Sequence, residues 1–128
     1  MSIVIDYTKG FFEPSPAGES VGTVTLTVVG INEVDLSTGN VFFTDQIFSA
    51  SNGGSFSFVN PPASGTAYGF TLRIQPQATS VISWPASVDW AGGTAPTAPA
   101  SGETDVFTFY TQDGGTVWYG FQAGDAMA

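Results

Sequence analysis

Apolar and polar residues alternate at period two along much of this chain. In Thr23-Val24-Thr25-Leu26-Thr27-Val28 the threonines fall on one side and the aliphatics on the other. Phe56 and Phe58 alternate with Ser55 and Ser57, and Phe70, Leu72 and Ile74 alternate with Thr71, Arg73 and Gln75. A strand turns successive side chains to opposite faces, so the pattern predicts half-buried strands with one face on a core. Further strands are expected over 41–48, 80–84, 104–111 and 116–121. Sixteen glycines and eight prolines break almost every window that a helix would need.

Turn chemistry separates these runs. Asn52-Gly53-Gly54 tolerates positive φ between two strands. Asn60-Pro61-Pro62-Ala63-Ser64-Gly65 cannot continue a sheet, because proline lacks the ladder donor. Asp113-Gly114-Gly115, between two aromatic-rich runs, is the strongest hairpin signal. Many short strands joined in this way predict an all-β fold, a small antiparallel β-sandwich or jelly-roll-like barrel with an extended N-terminal arm.

Residues 1–22 form a unit of their own in this reading, an N-terminal strand and arm, and residues 23–128 the all-β domain. Phe11 and Phe12 in the arm are candidate assembly contacts, docking on a neighbouring subunit or on their own domain. The Pro/Gly/Ala-rich stretch from Trp90 to Gly102 predicts a long loop of the kind that makes contacts. No internal repeat of fixed period is present.

Composition narrows the function. The 128 residues include no Cys and no His, so disulfides, thiolate metal sites and the commonest general base are absent. Lys9 and Arg73 stand against eleven carboxylates, a formal charge of −9. That balance disfavours nucleic acid and anionic membranes, both of which bind through Lys and Arg. The apolar runs are too short to span a bilayer, and the N-terminus lacks the pattern of a secretory signal, so synthesis in the cytoplasm is expected. Charged residues make up 10% of the chain, below the roughly 25% of an ordinary soluble domain. Such a surface suits a chain packed against copies of itself, or else a Ser/Thr-rich β surface with nothing attached.

Candidate chemistry is sparse. No His can activate a serine, and neither Gly-x-Ser-x-Gly nor Ser-x-x-Lys occurs. Phosphate-cradling glycine patterns are missing too. Asp89, Glu103 and Asp105 could form a glycosidase dyad if two of them met across a strand pair, although acids flanking a loop are ordinarily just solvated. Calcium is chemically permitted by the carboxylates, but no Asp-x-Asp-x-Asp-Gly loop occurs. The expectation is no enzyme, no cofactor and no metal. Trp84, Trp90, Trp118, Tyr110 and Tyr119 cluster in the C-terminal half. They read either as a sugar-stacking platform or as core and subunit-interface packing.

Four blocks then carry a resemblance: Asp35 to Phe42, Phe58 to Leu72, Ser83 to Thr97, and Asp105 to Phe121. The most specific pieces are Trp84-Pro85, Trp90-Ala91-Gly92-Gly93, Ala95-Pro96-Thr97 and Asp113-Gly114-Gly115-Thr116-Val117-Trp118-Tyr119-Gly120-Phe121. From Asp35 to Ala126 the chain resembles a β module at the C-termini of bacteriophage tail-fibre and related virion surface proteins. The resemblance implies a non-enzymatic particle component, typically a homotrimer, located on the virion and contacting capsid or tail proteins. The short chain, with its own Met and arm, points to a stand-alone polypeptide and adds a capsid decoration protein as a second placement. The alternative reading is an adhesion module for a host receptor or glycan, with Trp84, Trp90, Trp118 or Tyr119 as stacking residues.

Overall fold

The computed structural model describes residues 19–45, 54–77 and 81–128. Within them the chain forms nine strands: β1 (Thr23–Leu26), β2 (Ile31–Asp35), β3 (Val41–Thr44), β4 (Gly54–Val59), β5 (Tyr68–Ile74), β6 (Ile82–Ser83), β7 (Val88–Trp90), β8 (Thr104–Thr111) and β9 (Trp118–Met127). A four-stranded sheet in the order β1-β2-β4-β6 packs on a five-stranded sheet in the order β3-β5-β8-β9-β7. The result is the expected all-β sandwich.

The sheets are mixed, which corrects the expectation of purely antiparallel pairing. β1 with β2, β5 with β8, and β8 with β9 run antiparallel, whereas β2 with β4, β3 with β5, β4 with β6, and β7 with β9 run parallel. The cause is the path of the chain. From β2 to β7 consecutive strands alternate between the two sheets, so each sheet receives every second strand in the same direction.

Alternation places the core between the sheets. Val34, Phe42, Phe56, Phe70, Leu72, Ile74, Phe107, Phe109 and Trp118 are buried there. Phe58 of the four-stranded sheet meets Phe70, Phe109 and Trp118 of the other, with ring centroids 4.9, 5.0 and 5.5 Å away. These edge-on contacts add specificity to apolar burial.

Several boundaries moved. The first expected strand stops at Leu26, because Thr27 to Gly30 form a turn closed by Gly30 N–H to Thr27 O at 3.0 Å, with Gly30 at φ 86. Val28 and Val29 therefore stand at a hairpin tip, 105% and 73% exposed. The Asp113 region joins β8 and β9 as a hairpin, as expected, and β9 runs on to Met127. β2 was not foreseen. The Trp90 to Gly102 stretch is largely irregular, with one short 3-10 turn at Ala91–Gly93. Phe11, Phe12 and most of the expected arm lie outside the described residues, as do Asn52 and Gly53.

Candidate contact surface

The two outer faces of the sandwich differ in chemistry. On the four-stranded sheet the outward positions carry Thr23, Thr25, Glu33, Asp35, Ser55 and Ser57, with Ile31 and Val59 at the margins. On the five-stranded sheet they carry Val41, Phe43, Val106, Tyr110, Tyr119 and Phe121, with Thr71, Arg73 and Thr108 between them. Phe121 is 55% exposed, Tyr119 44%, and Tyr110 and Phe43 37% each.

Strand register orders this aromatic face into rows. Gly69, Tyr110, Tyr119 and Asp89 lie side by side on β5, β8, β9 and β7. Val41, Thr71, Thr108 and Phe121 form the next row, and Phe43, Arg73 and Val106 the third. Tyr110 and Tyr119 stack, their centroids 5.6 Å apart and planes inclined by 28°. Gln112 Nε2 donates to Tyr110 Oη and holds that ring. The Arg73 guanidinium lies 3.8 Å from the Phe43 ring centre, so the one cation of the described residues covers apolar surface. A shallow trough of about 410 Å³ opens over Gly69, bordered by Glu19, Asn40, Thr71 and Thr108.

The tryptophans lie elsewhere. Trp118 is 2% exposed and belongs to the core. Trp84 packs between the sheets, stacked on Phe56 at 5.2 Å and edge-on to Phe107 at 4.9 Å. Trp90 meets Trp84 at 5.3 Å and sits over Gly120, where a Cβ would come within 2.8 Å of its ring. Their packing is internal, and of the expected aromatics Tyr110 and Tyr119 are the rings on the outer face. Gly69 and Phe121 join them. The alternation of Phe70, Leu72 and Ile74 could have put Gly69 outward, but nothing in sequence separated an open glycine from a packed one.

The three acids do not share a cleft. Asp89 projects outward beside Tyr119, whereas Asp105 is buried on the inner side of β8. Glu103 accepts the Ala100 N–H within its own turn at 3.3 Å. Among the described residues no three metal-ligating side chains gather. Burial raises the Asp105 pKa above the usual carboxylate range, while nearby donors partly oppose it. Asp35 is held low by the Asn60 amide and by Ser37, and Asp113 by the Val117 N–H and the Thr111 hydroxyl. Both tie down loops at the end of the sandwich where β8 turns into β9. No protein-family model, curated protein or solved structure matches the chain. The fold and its outer faces define a β-sandwich with one polar and one aromatic side.

Proposed function

We propose that this protein is a non-catalytic surface component of a bacteriophage particle, a tail-fibre module or capsid decoration protein that works by associating with copies of itself. The observation that carries the reading is the contrast between the outer faces. A sandwich solvated on both sides has no use for exposed Phe43 and Phe121 beside half-buried Val106 on one of them, and apolar patches mark contact sites. The blocks between Asp35 and Phe121 that resemble virion surface modules supply the particle address.

A second copy is the occupant that fits the apolar part of this face. With a net charge of −9, two such chains meet most favourably where carboxylates are scarce, and Phe43, Val106 and Phe121 lie in such a region. Five strands and three rows span about 20 Å each way, which gives roughly half of the 800 Å² that each partner contributes to a standard interface. A stable assembly therefore uses a further patch. The Val28–Val29 tip offers one, with Val81 beyond the same end of the four-stranded sheet. Two unlike patches per copy close a ring, such as the trimer that the resemblance implies.

Purified particles test the reading. Detection of this chain by mass spectrometry, with three-fold density of its size on the capsid or tail in particle images, is expected. Absence of the chain from intact particles would overturn it.

A further inference from the structure

We propose that the corner of the five-stranded sheet formed by Gly69, Tyr110 and Tyr119 binds a neutral oligosaccharide. This goes beyond self-association and uses the polar corner of the face rather than its apolar half.

Gly69 supplies the first reason. It lies in β5, and its φ is not positive, so the backbone does not require glycine there. A Cβ at this position would meet one atom within 4 Å, the Phe109 carbonyl oxygen at 3.3 Å. Gly120 differs, because its Cβ would strike the Trp90 ring at 2.8 Å. The Phe109 contact is tight, yet everything else around the position is open, so the strand backbone at Gly69 is accessible to a ligand lying across the sheet.

The lining supplies the second. The trough is about 410 Å³, within the range of small-ligand sites, and carries the Glu19 carboxylate, the Asn40 amide and the Thr71 and Thr108 hydroxyls. None of these side-chain groups has a hydrogen-bond partner among the described residues. Beside the trough stand the stacked rings of Tyr110 and Tyr119, with Tyr110 fixed by Gln112. A sugar ring presents a C–H face for an aromatic plane and hydroxyls that both donate and accept, which matches rings flanked by carboxylate, amide and hydroxyl.

Other occupants fit less well. A phenyl ring from a second copy would bury these polar groups without partners, at the full cost of their desolvation. An anionic sugar would face Glu19 and Asp89, while Arg73 lies two rows away over Phe43.

Titration of the full chain with cellotriose, mannotriose and galactobiose, followed by amide NMR, tests the site, with 3′-sialyllactose as the anionic control. Saturable shifts at Tyr110, Tyr119 and Thr71 are expected for at least one neutral sugar, and none for sialyllactose. Tyr119→Ala should weaken binding by about tenfold, the value of one good aromatic contact. Gly69→Val should abolish it by filling the trough, and Thr71→Val should weaken it without filling anything. Phe43→Asp, in the copy contact but in the row farthest from Gly69 and Tyr110, should leave it unchanged, so loss of assembly and loss of sugar binding are separable. No saturable shift with any neutral sugar, or wild-type binding in Gly69→Val and Tyr119→Ala, would overturn the proposal. A change of oligomeric mass in Gly69→Val, with no sugar bound by the wild type, would assign this corner to the copy contact instead.

Discussion

The Asp105 carboxylate accepts the backbone N–H of Ala126 at 2.8 Å, joining the inner side of β8 to the far end of β9. Its second oxygen accepts Gln122 Nε2 at 3.0 Å. The β8–β9 register shifts on either side of Val106, and Ala126 takes φ 48. A single buried carboxylate thus holds a stretch where the regular ladder is broken.

This carboxylate should give stability an unusual acid branch. Native Asp105 has a raised pKa, so on acidification it takes up its proton before the unfolded chain does. Stability therefore rises as pH falls through the native pKa toward the ordinary carboxylate value. Below that value Asp35 and Asp113, held low in the native state, reverse the trend because the unfolded chain binds protons first. Urea unfolding across pH should show a maximum in mildly acidic solution. Asp105→Asn should flatten the rise from neutral pH, with the Gln122 amide turned to accept from the new amide. A rise unchanged in that variant would assign the effect to other groups.

Two strand glycines should respond unequally to alanine. Gly120→Ala places a methyl against the Trp90 ring and Val88 Cγ1, 2.8 and 2.9 Å away, and overpacking of this kind costs about 1–3 kcal/mol. Gly69→Ala brings its methyl to 3.3 Å from the Phe109 carbonyl oxygen, a tight contact but a single one, and should cost less than Gly120→Ala. Thermal melting, with tryptophan fluorescence reporting on Trp90, checks both.

Sequence showed the hairpin at Asp113-Gly114-Gly115 and the strands with clean alternation, because turn residues and period two are local signals. β2 was hidden by Asn32, a polar residue buried at an inward position, its Nδ2 donating to Ser55 O at 3.3 Å. The parallel pairings were hidden because they depend on which sheet each strand joins, and no neighbour in sequence records that. The contact face was hidden by its own chemistry. In Trp118-Tyr119-Gly120-Phe121 both parities hold aromatics, so alternation could not tell the buried Trp118 from the exposed Tyr119.

Tyr68 fixes the loop between β2 and β3 by donating its hydroxyl to the Gly39 carbonyl at 2.6 Å. Tyr68→Phe keeps the ring contacts and removes this bond, for a loss of roughly 1 kcal/mol. Denaturant unfolding measures the loss, and faster amide exchange at Thr38 and Asn40 should accompany it.

At the β8–β9 hairpin the Asp113 carboxylate accepts the Val117 N–H at 3.0 Å and the Thr111 hydroxyl at 2.9 Å. Asp113→Ala should speed hydrogen exchange at Val117 and leave the β5–β8 ladder protected. Equal loss of protection in both places would mean that the loop is not a separate unit of stability.

Sedimentation velocity of the full chain and of Phe121→Asp, over micromolar to high-micromolar concentrations, tests the contact face most directly. The wild type is expected to sediment as a concentration-dependent assembly of up to three copies. The variant is expected to sediment as a monomer with unchanged circular dichroism, since Phe121 lies outside the core. A wild type that stays monomeric throughout, or an assembly that Phe121→Asp leaves intact, would contradict self-association through the aromatic face.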